Sequence, residues 1–127
     1  MNMTKIKTAE LQGAQLDWAV AKALGWAVHH RNAACYCMAK EADGIMQKAM
    51  AFVDEFRPST DWAQGGPLIH EYRIGFGVKD DCYLALAGIK GVYGTGIGET
   101  HLIAAMRALV AAKLGDEVEV PNMQQEE

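Results

Sequence analysis

Ile74-Gly75-Phe76-Gly77-Val78-Lys79-Asp80-Asp81-Cys82-Tyr83-Leu84-Ala85-Leu86-Ala87 decides the fold. Ile74, Phe76 and Val78 alternate with glycines, Lys79-Asp80-Asp81 carries turn chemistry, and Cys82 to Ala87 supplies a second run, so the stretch predicts an antiparallel hairpin. The two glycines of the first strand predict either a bulge or the close approach of another backbone. Downstream, five glycines fall between Gly88 and Gly98 and predict a flexible loop. A helix follows, with Leu102, Ile103, Met106, Leu109, Val110 and Leu114 on its apolar face, Thr100 as cap and Gly115 as stop. Its opposite face is Ala104, Ala105, Ala108, Ala111 and Ala112, small enough for a second element or another subunit to approach closely. Upstream, Leu16, Ala19, Val20, Ala23 and Leu24 recur at helical spacing before Gly25, which stands where a helix ends. Trp18 lies off that stripe, placed to meet either the edge of the core or a partner. Helices near 12–24 and 100–114 packed on a short antiparallel sheet containing 74–79 and 82–87 make an α+β sandwich.

The remaining segments are shorter. Lys5-Ile6-Lys7-Thr8 alternates as a short edge strand, and Trp26-Ala27-Val28 reads as a strand. His29 to Met38 is open between a strand pair and a loop. Glu41-Ala42-Asp43-Gly44 is a turn signal. After it Ile45, Met46, Ala49, Met50, Val53 and Phe56 fall on one helical face, with Gln47, Lys48 and Glu55 on the other, which predicts a helix to about Phe56. The expected organisation is a single domain over 1–120 and a disordered tail over 121–127.

A chain of 127 residues can bury about two thirds of its unfolded surface without metals or disulfides. Half of its residues are hydrophobic and 22% are charged, the ordinary globular range. The net charge of -4 comes without a basic block, which argues against nucleic-acid binding over a broad surface, because neutralising phosphates needs clustered Lys and Arg. Cys35, Cys37 and Cys82 are too few for a disulfide framework, and Met1 to Lys5 leads into no apolar segment. The expected location is the cytoplasm. No run reaches the length that a membrane span requires.

Pro58-Ser59-Thr60-Asp61-Trp62-Ala63-Gln64-Gly65-Gly66-Pro67 is the densest stretch in chemistry. Pro58 discourages a helix from entering, Ser59 or Thr60 can cap a new one, and Asp61 in the first turn meets the helix dipole favourably. Gly65-Gly66 is expected to stop that turn and Pro67 to restart a second helix over Leu68 to Arg73. A bent pair of short helices results, with Trp62 and Gln64 at the break.

Ser59 to Ile69, Leu16-Asp17-Trp18-Ala19-Val20-Ala21-Lys22, Leu102-Ile103-Ala104-Ala105-Met106-Arg107 and Lys113 to Pro121 resemble, in order and approximate spacing, the phage and prophage proteins called NinX. His29 to Phe56 and Gly75 to Gly98 depart from that pattern, and nothing is carried onto them. The layout is more distantly similar to small phage α-β-α sandwich domains, which implies a small antiparallel sheet flanked by helices. The resemblance implies a phage-type accessory protein in the cytoplasm of a bacterial host, and it implies no established activity.

The candidate binding residues for a ligand or partner are Thr60, Asp61, Trp62, Gln64, Gly65, Gly66, Thr100 and Arg107. Trp62 divides evenly between a stacking platform and a core anchor. Gly94-Thr95-Gly96-Ile97-Gly98-Glu99-Thr100 before a helix suggests an anion cradle. It lacks the lysine of a P-loop and has the wrong glycine spacing for a dinucleotide fingerprint, so a loop with a threonine cap is the better account. His29, His30, Cys35 and Cys37 offer soft ligands, yet their spacing is not that of a zinc site, and no metal or cofactor is expected. Cys82 or Cys35 with His70 or His101 lacks any nucleophile signature, and Asp61 with Asp17, or Glu71 with Glu99, is not paired by spacing. A non-catalytic binding protein is therefore favoured over a small enzyme acting on a nucleotide-like ligand. Its target would be a host protein or such a ligand. The alanine face of the last helix predicts a homodimer.

Overall fold

In a computed structural model the described residues are 3–32, 35–42, 45–52 and 57–121, those between 26 and 52 by backbone course. Their order is β1 (Met3–Lys7), a 3-10 turn (Thr8–Glu10), α1 (Gly13–Ala23), β2 (Trp26–Asn32), β3 (Cys35–Ala42), β4 (Ile45–Phe52), α2 (Trp62–Glu71), β5 (Gly75–Lys79), β6 (Cys82–Ile89), β7 (Val92–Gly98), α3 (His101–Leu114) and β8 (Glu117–Pro121). Three antiparallel sheets, β1-β8, β2-β3-β4 and β5-β6-β7, accompany the three helices, and the fold is α+β as the sequence predicts.

The core forms around α3. Leu102, Met106, Leu109 and Val110 are buried on it, and α1 packs against it with Leu16, Trp18, Ala19 and Val20. Trp18 therefore belongs to the core. The alanines of α3 meet β7, whose Gly94, Gly96 and Gly98 present backbone alone to the helix. A Cβ at Gly96 would collide with the Ala104 carbonyl and lie 2.6 Å from the Ala108 nitrogen, and one at Gly98 would lie 2.6 Å from Ile103 Cγ2. The expected flexible loop is thus a strand: its glycines recur every second residue because every second residue faces the helix. The three glycines read as part of an anion cradle over Gly94–Thr100 thus face α3. The alanine face of α3 is covered from within the chain rather than by a second subunit.

β5 and β6 pair as expected, from Lys79 with Cys82 to Gly75 with Leu86, without a register shift. A Cβ at Gly75 or Gly77 would meet nothing within 4 Å, so those glycines mark neither a bulge nor a close backbone approach. β1 pairs with β8, from Met3 with Pro121 to Lys7 with Glu117, and the Thr8 hydroxyl adds a 2.6 Å bond to the Gly115 carbonyl. Val118 and Val120 of β8 are buried in the core.

The predicted helix from Ile45 is a strand, β4, whose first residue pairs with Ala42 across Asp43-Gly44. That dipeptide is the strongest two-residue hairpin signal. The apolar residues of 45–52 satisfy a period of two nearly as well as one of 3.6, and a neighbouring strand is at hand to decide between them. The part of that reading over 53–56 lies outside the described residues, as does the tail beyond 121. His29 to Met38 resolves as a strand pair, with His29 opposite Cys37.

Candidate functional site

The site begins with a buried carboxylate. Asp17, in the middle of α1, is 5% exposed, and its Oδ1 accepts the Ser59 amide at 2.9 Å. Two of the segments that carry the family resemblance are thereby brought together. Burial pushes the Asp17 carboxyl up to about 6, against the opposing pull of the Ser59 amide and the Arg57 charge. The Ser59 hydroxyl is itself buried, and its geometry makes no hydrogen bond among the described residues.

From this anchor the chain turns through Pro58 and Ser59, both buried, with the Thr60 and Asp61 amides donating to the Arg57 carbonyl. Asp61, not Ser59 or Thr60, caps α2: its Oδ1 accepts the Ala63 amide at 3.0 Å, and its Oδ2 accepts the Gln64 side-chain amide at 3.1 Å. Gln64 Oε1 accepts the Arg57 amide at 2.8 Å. Asp61 and Gln64 thus close the turn on itself, and both are half-buried. Thr60 stands exposed beside them.

Gly65-Gly66 does not break the helix. α2 runs from Trp62 through Pro67 to Glu71 as one piece. Gly65 is buried because a Cβ there would collide with the Pro58 carbonyl and lie 2.6 Å from Leu102 Cδ2. Gly66 precedes the proline, and without a Cβ it escapes the clash that keeps other residues out of the helical region at that position. Pro67 leaves the Ala63 carbonyl without its intrahelical donor. The glycine pair is explained by close packing on one side and by the proline on the other.

Trp62, at the first position of α2, is 58% exposed. Its ring lies 6.4 Å from that of His101, which stacks on Tyr83 at 3.9 Å and meets Phe76 edge-on at 5.0 Å. Four aromatic rings from α2, α3, β5 and β6 therefore gather on one surface. Of the two alternatives posed by the sequence, the exposure of Trp62 removes the core anchor. Thr100, just before His101, caps α3 by accepting the Ile103 amide at 3.1 Å.

Arg107 serves elsewhere. Its Nε donates to the Leu11 carbonyl at 2.8 Å and its Nη1 to the Ile97 carbonyl at 2.6 Å, tying the entry to α1 to the end of β7. Burial lowers its pKa, while Glu99 and Cys82 pull the other way. With Gln12 and Ile103 these three line a cleft of about 290 Å³. Asp17 and Asp61 have separate hydrogen-bond partners: the Ser59 amide for the first, the Ala63 amide and the Gln64 side chain for the second. The involvement of Tyr83, Phe76 and His101 in the corner had no signal in the sequence, because their proximity comes from tertiary packing alone. No group of three or more possible metal ligands occurs among the described residues, and none of their helices is long and apolar enough to cross a membrane.

An α+β domain with an open aromatic corner, fastened to its core by a buried carboxylate, is the class of protein these features define. Residues 7–113 match the family model described as Bacteriophage P22, NinX, and the chain belongs to that family. No curated protein matches it.

Proposed function

We propose that this member of the phage NinX family is a non-catalytic accessory protein of the host cytoplasm, which binds through the Ser59–Pro67 corner to a host protein or a small nucleotide-like ligand. The observation that carries this reading is the exposure of Trp62 at the start of a helix whose first turn is fixed from both sides. Asp61, Gln64 and the Arg57 backbone hold the turn, and Gly65 seats it against Pro58 and Leu102. A large aromatic side chain held in water on a rigid support loses little conformational entropy when a partner covers it, which is the property of binding hot spots. His101, Tyr83 and Phe76 continue the surface with rings suited to stacking. Within this reading Thr60 and Trp62 meet the partner, Asp61, Gln64, Gly65 and Gly66 shape the turn, Thr100 positions His101, and Arg107 braces the scaffold.

The test compares the full chain with its Trp62→Ala variant in pull-downs from host lysate, with mass spectrometry of captured proteins and of small molecules released on denaturation. Because Trp62 is exposed, the variant should fold normally and lose whatever the wild type retains. Identical captures from both proteins would reject the corner as the working surface.

A further inference from the structure

We infer that β5 is a self-pairing edge, and that two copies of the chain join across it into one continuous six-stranded antiparallel sheet. The inference shares Phe76 with the aromatic corner but rests on the edge geometry of β5, not on what the corner binds. Among the described residues β5 is the outer strand of its sheet, with β6 on one side and no strand on the other. Natural edges are blunted by prolines, bulges or charges. The sequence Gly75-Phe76-Gly77-Val78-Lys79 has no proline, keeps its one charge, Lys79, at the turn end, runs in unbroken register with β6, and exposes Val78 by 74% and Phe76 by 39%. The other outer strand, β7, is treated differently: Arg107 occupies the Ile97 carbonyl.

The pattern of the strand is self-complementary about Gly77. Lys79 and Cys82 flank a two-residue loop and form a hydrogen-bonded pair, and ladder pairs alternate from there. Gly77 and Gly75 then bond to β6, and the N–H and C=O groups of Phe76 and Val78 are directed to the free edge. A twofold axis at Gly77 sets Phe76 opposite the partner's Val78, where each pair exchanges two backbone bonds and the apolar side chains cover one another. Glycine sits on the axis, where the two backbones come nearest. On the far face, Gly75 and Gly77 leave open a hollow of about 300 Å³ floored by Leu84 and Leu86, which the added strands would narrow.

Sedimentation velocity of the full chain over a wide concentration range tests the inference. The wild type should approach twice 13.8 kDa. Val78→Lys, a change at an exposed side chain, should keep the wild-type circular dichroism and raise the dimer dissociation constant by about tenfold or more, since an edge lysine is a natural guard against pairing. A wild type that stays at 13.8 kDa at the highest concentration overturns the proposal. So does a dimer unaffected by a folded Val78→Lys variant.

Discussion

The Asp17 carboxylate accepts the Ser59 amide at 2.9 Å and so fastens the middle of α1 to the turn that launches α2. Its pKa of about 6 stands above the ordinary aspartate value near 3.9. Between about pH 4 and pH 6 the native state therefore holds a proton that the unfolded chain has released. Stability from this group is complete below about pH 4 and is lost as the pH rises through about 6, a change of about 3 kcal/mol. Asp17→Asn keeps an oxygen for the Ser59 amide and has no charge to bury. Thermal melts from pH 4 to 7 should show wild type losing ground to Asp17→Asn as the pH rises. A difference that stays constant or runs the other way would contradict the burial of the charge. Asp17→Ala, which leaves the amide unpaired, should lose about 1–3 kcal/mol.

The contact of β7 with α3 admits no side chain at its glycines. Gly96→Ala should destabilise by about 1–3 kcal/mol or more, because the added methyl meets the Ala104 carbonyl and the Ala108 nitrogen, neither of which can yield without moving the helix. Gly75→Ala is the control: its methyl meets nothing within 4 Å, and it should be neutral or slightly stabilising. Urea denaturation of both variants would separate them, and equal midpoints would show that β7 does not lie flush on α3.

Arg107 bonds two carbonyls with different nitrogens of one planar group, a geometry that lysine cannot reproduce. Arg107→Lys should lose about 1–3 kcal/mol, and amide hydrogen exchange should quicken around Leu11 and Ile97 together. Loss of protection at one of these sites alone would show that the arginine does not couple them.

Gln64 joins the Asp61 carboxylate to the Arg57 backbone, so its side chain is part of the turn as well as of the candidate surface. Gln64→Ala should lower stability by about 1 kcal/mol, and Asp61→Ala by a similar amount through loss of the cap. The double variant should lose less than the sum, because the two side chains share a bond. Additive losses in a chemical denaturation cycle would argue that they act separately.

The helices were legible wherever periodicity and caps agreed: α1 up to Gly25, α3 from Thr100 to Gly115. The β5-β6 hairpin was equally plain from its alternation and turn. β7 was not, because its glycines erase the hydrophobic signal that marks a strand, and only the alanines of α3 explain them. β4 failed for the opposite reason, as its apolar residues fit two periods and the choice depended on β3. At the corner, the turn could be anticipated from Pro58 to Pro67, whereas the sequence left Trp62 evenly divided between exposure and burial. The continuity of α2 could not, since the buried site that demands Gly65 is made by Pro58 and Leu102. Asp17 carried no local mark of its partner, which lies 42 residues away.

The pairing of β1 with β8 fixes how the molecule answers to force. Met3 and Pro121 lie opposite each other at one end of the ladder, and Lys7 and Glu117 at the other. A pull applied through either end of the described chain enters at the Met3 and Pro121 pair and opens the ladder one rung at a time, in the manner of a zipper, instead of loading all the rungs in shear. The first barrier to a machine that draws the chain in by an end is then a single pair. Once Thr8 releases Gly115, that opening carries straight through to the last turn of α3.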